Sequence, residues 1–346
     1  MGLQIGELVP RKTIRIEELK GKIIAVDAFN TLYQFLSNIR QPDGTPLMDS
    51  KGRITSHLSG LFYRNTNLMS KGLKIVYVFD GRPPQLKKDT NKGREERKKE
   101  AEAKFNEAKR EGKEEDMFKY SRQTIRITDE IIQESKDLLR ALGIPIVQSP
   151  SEGEAQASWI AKKEAYAVAS QDYDSLLFGA PILIQNLALS RKRRLASGAY
   201  VPIEPELIEL EHVFNTLQIN HDQLICLGIL SGTDFNPGGI RGIGPKKALM
   251  YVQRYKQPVL IFQAVEKQLI KEGKEIWFNW QDIFELFKKP NIIKEYKLDF
   301  HDVDEQKVKK ILCQEHDFSD DRVESSLNKV RESKESMKQK DLKKWF

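Results

Sequence analysis

The sequence predicts an α/β fold with a mainly parallel central sheet flanked by helices, and three features carry that expectation. Lys22–Ala28 (KIIAVDA), Lys74–Gly81 (KIVYVFDG) and Ala165–Asp174 (AYAVASQDYD) are short apolar runs of the kind that form strands buried on both faces. Ile144–Gln148 and Pro181–Asn186 are two further strand candidates. The stretches between carry helical periodicity, as in Ile125–Leu142, and strands alternating with helices build parallel sheets.

The rest of the chain reads as additions to that sheet. Pro83-Pro84 closes one strand unit, and the segment to about residue 124 is rich in Ala, Glu, Lys and Arg but poor in branched apolar residues. Such a composition favours helix and offers little to bury, so a helical excursion standing off the core is expected. After about residue 220 strand signals fade and helices continue. From Arg331 to Lys344 there is almost nothing apolar, so a flexible tail is expected there, ending abruptly in Leu342, Trp345 and Phe346.

Composition narrows the function classes. Apolar residues make up 39% and charged residues 31%, which suits a globular protein with a heavily solvated surface. No apolar stretch approaches the roughly 20 residues of a bilayer crossing, and the N-terminus lacks a leader pattern, so an intracellular protein is expected. Cys226 and Cys313 lie far apart without CxxC spacing, which points to free thiols rather than a disulfide or zinc site. Fifty-seven Lys plus Arg against fifty Asp plus Glu give a net charge of +7, a weak pointer to polyanions. Residues 87–99 hold seven basic and three acidic groups, and residues 191–194 read RKRR.

The acids are more telling than the bases. In an open parallel sheet, ligands gather beyond the carboxyl ends of the strands, where Asp27, Asp80, Asp172 and Asp174 fall. Asp is common in turns, so one such acid means little. Three strands delivering acids to one rim mean more. Glu152 and Glu154 follow another strand in the first turn of a helix, where they also complement its dipole, with Gly153 between them permitting close approach. Asp234, in LSGTDFNPGG, is the seventh acid.

Seven converging carboxylates repel one another unless cations join them. Oxygen ligands without a His or Cys cluster select Mg²⁺, with Mn²⁺ able to substitute, over zinc. Two such ions suit an in-line phosphoryl displacement, one at the attacking and one at the leaving oxygen. Lys87 and Arg94, two helical turns apart, would share a face and present cations to a scissile phosphate. In residues 238–248 (GGIRGIGPKKA), Gly242 and Gly244 leave backbone amides open, Pro245 suits a first helical position, and Lys246 and Lys247 add charge. That pattern is a helix-hairpin-helix type grip on a DNA backbone, expected over about 225–256.

VDAFNTLYQFL, YVFDGRPPQLK, PSEGEAQA, SQDYDSLLFG and GTDFNPGGIRGIGPKKA stand in the order seen in flap endonucleases of the structure-specific 5′ nuclease superfamily, and the chain resembles that family from residue 1 to about 330. The resemblance implies a PIN-like fold with a helical arch (about 84–130) and cleavage of DNA near a 5′ flap junction, leaving a ligatable nick. It implies a first metal group of Asp27, Asp80, Glu152 and Glu154 and a second of Asp172, Asp174 and Asp234. It places Lys87 and Arg94 at the scissile phosphate, Tyr33 against a base, and Arg40, Thr55 and Arg64 at the junction and 3′ flap. Carbonyls around Ser231 and Thr233 are expected to hold K⁺. Gln171 departs from the family pattern, where many relatives carry an acid. The closing QKDLKKWF resembles a sliding-clamp (PCNA) binding box built on Gln339, Leu342, Trp345 and Phe346, with Trp345 where Phe or Tyr is usual.

The expected organisation is a nuclease region in two parts (1–100 and 125–255), a C-terminal helical part of the core (257–330) and the tail 331–346, in a monomer. A 5′ exonuclease or ribonuclease of related fold is the nearest rival. A catalytically silent DNA scaffold is another, but a mere binder gains nothing from acids facing a polyanion.

Overall fold

The computed structural model describes residues 3–41, 43–121, 123–187, 192–194 and 200–342. Its strands are β1 (Lys12–Thr13), β2 (Ile23–Asp27), β3 (Lys74–Phe79), β4 (Ile146–Gln148), β5 (Ala167–Ala169), β6 (Ile182–Gln185), β7 (Lys192–Arg194), β8 (Tyr200–Pro202) and β9 (Glu206–Glu209). Seven of them form one sheet in the order β1-β9-β6-β5-β2-β3-β4, while β7 and β8 make a separate hairpin. β2 to β6 run parallel, and β9 and β1 are added antiparallel at one edge. The mainly parallel sheet is therefore as expected. β1, β7, β8 and β9 had no signal in the apolar pattern, because they are only two to four residues long and, in β1, β7 and β9, carry charged residues.

The chain runs outward from β2 through β3 to β4, then returns to β5 on the other side of β2. A topological switch point thus lies between β2 and β5, where crossovers leave toward opposite sides and open a crevice at the strands' carboxyl ends.

The helices are α1 (Ala28–Asn38), α2 (Ser56–Ser70), α3 (Lys88–Glu111), α4 (Glu114–Ser121), α5 (Asp129–Ala141), α6 (Gly153–Lys163), α7 (Asp174–Leu177), α8 (Leu210–Leu217), α9 (His221–Ser231), α10 (Pro245–Tyr255), α11 (Pro258–Lys271), α12 (Trp280–Lys288), α13 (Glu305–Lys309) and α14 (Asp320–Leu342). Strand side chains alternate between two cores. Ala25, Val76 and Val78 join Ile160, Leu177 and Leu230 on one face. Ile24, Val26, Ile75 and Tyr77 join Leu32, Phe62, Leu138 and Leu327 on the other. Continuous apolar runs are the sequence trace of that double burial.

After Pro84 a 3₁₀ turn (Gln85–Lys87) leads into α3 and α4, the expected helical excursion. Arg126 ties it down through Glu95 and Glu102 at 3.2 and 3.1 Å. The C-terminal helices divide between the two faces: α11 and α12 bury Phe262 and Phe287 in one core, while Val308, Val323 and Leu327 enter the other. One expectation is corrected. The segment from Arg331 continues as helix α14 through Leu342, because Val323, Leu327 and Val330 anchor it and the Lys- and Glu-rich sequence beyond propagates the turns.

Candidate active site

The carboxyl ends of β2, β3 and β5 carry the acids to one place. Asp27 ends β2 and caps α1, its carboxylate accepting the Asn30 amide at 3.1 Å. Asp80 follows β3, and its Oδ1 accepts the Gly153 amide at 2.6 Å. Glu152 is the N-cap of α6 and Glu154 lies in its first turn. A Cβ on Gly153 would sit 2.5 Å from Asp80 Oδ1, so only glycine lets the helix start this close to that carboxylate. Beyond β5, the Ser170 hydroxyl donates to Glu154 at 2.7 Å, and Asn30 Nδ2 donates to Asp172 at 2.9 Å. Asp174 opens α7, and Asp234 follows α9.

Lys87 reaches into this cluster. Its ammonium is hydrogen-bonded to Glu152 and lies 3.6 Å from Asp234, with both chains mostly buried. Desolvation opposes the charge there, but Glu152, Asp234 and Asp80 together hold the lysine protonated, well above its ordinary range. The acids show the converse. Burial first, then Glu152, pushes Asp80 up to about 6. Burial, then Asp234 and Asp172, pushes Asp174 up to about 8. Asp27 and Glu154 are raised by burial and by their acidic neighbours in the same way.

These acids fit a hard divalent cation. They offer oxygen donors alone, and Asp174 Oδ1 is buried with no hydrogen-bond partner. As they stand, no group of three or more His, Cys, Asp or Glu among the described residues is spaced to hold one ion. Lys87 offsets part of their charge.

The remaining expected residues take varied places. Arg94 lies in α3 seven residues beyond Lys87, its side chain outside the described part. Tyr33, on α1, is 46% exposed, a large ring facing solvent. Arg40 donates to the carbonyls of Leu36 and Gly44 at 2.9 and 2.6 Å, Thr55 is buried before α2, and Arg64 lies on α2. Arg40 borders a cavity of about 860 Å³ between residues 36–54 and α5.

The hairpin joins α9 to α10 with Gly242 at φ +85°, Gly244 as N-cap and Pro245 at the first helical position. Lys246 pairs loosely with Glu7, and Lys247 reaches back to the Gly242 carbonyl at 3.5 Å. Ser231 Oγ is buried without a partner, while Thr233 is held by Asn236 at 2.7 Å. Gln171 leaves its side chain out of the cluster's hydrogen bonds among the described residues; its carbonyl accepts from Gln185 at 2.8 Å. Gln339 and Leu342 lie in the last turns of α14, their side chains outside the described part, and Trp345 and Phe346 lie beyond the described residues. Cys226 and Cys313 are free. Sequence reasoning missed Asn30 and Ser170, which hold Asp172 and Glu154; their signal is short spacing to an acid, three residues after Asp27 and two before Asp172.

Comparison with known proteins places this geometry. The XPG N-terminal domain matches residues 4–101 and the XPG I-region matches 143–234, the two stretches that supply the seven acids. Flap endonuclease 1 of Pyrococcus furiosus is 52% identical over 348 residues, with 100% of this chain and 99% of that protein covered. The chain belongs to the flap endonuclease family. Flap endonuclease 1 of Thermococcus onnurineus is 50% identical at the same coverage. The solved flap endonuclease-1 from Methanococcus jannaschii superposes with a TM-score of 0.75 at 39% identity, covering 96% of this chain and 98% of that one. As a member of the family, the chain is a structure-specific nuclease. Among the described residues no helix is long and apolar enough to cross a membrane.

Proposed function

We propose that this chain hydrolyses DNA phosphodiesters at the junction between duplex and a 5′ single-stranded flap, releasing the flap and leaving a ligatable nick, with a 5′–3′ exonuclease activity on the same centre. The observation that carries the reading is the convergence of seven carboxylates around Lys87 at the switch point of the sheet. Asp27, Asp80, Glu152 and Glu154 would hold one Mg²⁺, and Asp172, Asp174 and Asp234 a second. Such ions, when bound, supply Lewis-acid stabilisation at the attacking and leaving oxygens.

The chain's own residues do the rest. Lys87, preorganised by Glu152 and Asp234 in a mostly buried site, brings a cation to the phosphate where water would otherwise weaken it. Arg94 adds a second from α3. Tyr33 offers an exposed ring for a base beside the cut, and Arg40, Thr55 and Arg64 would meet the junction and 3′ flap. The open amides of the hairpin, with Lys246 and Lys247, grip the backbone of a duplex arm. The orphaned Ser231 hydroxyl beside Thr233 supports K⁺ at that turn.

The tail from Gln339 through Leu342 to Trp345 and Phe346 would dock on a sliding clamp, with the enzyme a monomer in replication and repair of nuclear or nucleoid DNA.

Labelled double-flap DNA tests the reading. Cleavage next to the junction with Mg²⁺, a 5′-phosphate on the product and no cleavage in chelator are expected. Stepwise trimming without a junction cut would favour the exonuclease reading instead, and preference for RNA would favour a ribonuclease.

A further inference from the structure

A groove of about 630 Å³ runs between α10 and α11, away from the carboxylate cluster, and its walls carry one sign of charge. Lys247 and Arg254 line it from α10, and Lys267 and Lys271 from α11, with no Asp or Glu among its lining residues. The neighbouring acid Glu272 is already held, by Lys274 at 2.7 Å and Gln268 at 3.0 Å. Between the cations lie Tyr251 and Tyr255, stacked at 6.0 Å, with the Arg254 guanidinium 5.5 Å from the Tyr255 ring.

Geometry connects this groove to the hairpin. Lys247 belongs to both, since its ammonium approaches the Gly242 carbonyl while its stem lines the groove. From Lys247 to Arg254 is two helical turns, about 10 Å, or about three base-pair steps at the axial rise of duplex DNA. Lys267 and Lys271, one turn apart, present a second pair of cations from the facing helix.

We infer that this groove takes the phosphodiester backbone of the duplex arm gripped by the hairpin, extending the footprint of the enzyme along that arm. The inference rests on the DNA-binding part of the reading above. Four cations from two helices, in a groove that no Asp or Glu lines, fit a regularly charged backbone, and the tyrosine faces fit sugar edges between phosphates. An acidic peptide is the competing occupant. It would use the same cations but gain nothing from continuity with the hairpin.

A paired Lys267→Ala, Lys271→Ala variant tests this on flap DNA whose two duplex arms are shortened one at a time, from about two helical turns to about half a turn. With both arms long, the logarithm of affinity should fall less steeply with the logarithm of salt, by about 0.9 for each phosphate that the variant no longer neutralises. Shortening one particular arm should abolish the difference between variant and wild type, and shortening the other should not. Lys267→Arg, Lys271→Arg should restore the wild-type slope, and melting temperatures of both variants should match wild type.

An unchanged salt slope, or a change indifferent to either arm, overturns the inference. If the alanine variant instead loses binding to a short polyglutamate peptide while its DNA slope is unchanged, the occupant is an acidic protein segment and the inference is overturned in that direction. Cleavage of long-armed flap DNA with Mg²⁺ separates the two layers: wild type failing to cut it sinks the nuclease reading, whereas wild-type cleavage with an unchanged salt slope in the alanine variant overturns the groove alone.

Discussion

Lys87 is the residue on which the electrostatics of the site turn. It is the cation that the buried acids share, and its charge persists because Glu152, Asp234 and Asp80 outweigh desolvation. A cation facing a phosphate acts mainly on charge developing in the transition state, so Lys87→Ala and Arg94→Ala should each cut the single-turnover rate by about a hundred- to a thousandfold. Flap affinity should change far less, and equal losses in rate and binding would mark both as plain phosphate grips. Gly153 makes a different case. Its missing Cβ leaves room for Asp80 Oδ1, whose carboxylate can swing away cheaply when a methyl arrives. Gly153→Ala should thus leave thermal stability within a degree or two, since Ala favours helix, yet lower cleavage at least tenfold by moving a ligand; normal turnover would show that Asp80 tolerates displacement. The seven acids were legible in the sequence because each ends an apolar run or opens a helix. Asn30 and Ser170 were not, since a lone Asn or Ser beside an Asp is equally a turn or cap residue.

At the level of elements, a clasp on the far side of α2 closes the turn before that helix against the segment that follows α13. Asp49 accepts from the Arg53 guanidinium at 2.7 Å, the Arg53 amide at 2.9 Å, the Lys51 amide at 3.0 Å and the His316 ring at 3.1 Å. Glu134 of α5 meets buried His57 at 3.0 Å and the other side of His316 at 3.5 Å. Desolvation pushes the Asp49 carboxyl up, but these donors prevail and bring it down to about 2. An unfolded aspartate titrates near 3.9, so the folded state holds its proton less tightly than the unfolded state does. The resulting stability is complete above about pH 4 and lost as pH falls through about 2. Asp49→Asn should therefore melt several degrees lower than wild type at pH 7, with the gap narrowing toward pH 2. A gap of equal size at both pH values would show that Asp49 acts through shape rather than charge. The clasp joins residues some 267 positions apart, and no periodicity in the sequence marks it. The buried strands, by contrast, were legible because burial on both faces leaves an unbroken apolar run, whereas β1 and β9 pair at a charged edge.

Over the whole molecule, the sheet supplies a rim of acids, the turn before α3 brings Lys87 to it, and α10 and α11 carry a basic groove. That division explains how a protein of net charge +7 can carry so acidic a centre and still attract a polyanion. The tail stands apart from it. Its sequence is largely polar up to Trp345 and Phe346, two aromatic residues of the kind that short motifs press into a partner's hydrophobic pocket. Trp345→Ala, Phe346→Ala should lose clamp binding in calorimetry and clamp stimulation of cleavage, while basal cleavage of a flap stays unchanged. Unchanged clamp affinity would leave the tail without that role. The central claim concerns the acids themselves, and Asp174 tests it most directly because its buried Oδ1 bonds to nothing else in the fold. The decisive measurement is single-turnover cleavage of double-flap DNA by Asp174→Ala in Mg²⁺, with flap affinity measured alongside. The expected result is a rate lower by about a thousandfold or more with affinity within a few-fold of wild type, because binding rests on phosphate contacts elsewhere. Cleavage at close to the wild-type rate would contradict the assignment of these carboxylates to the catalytic centre.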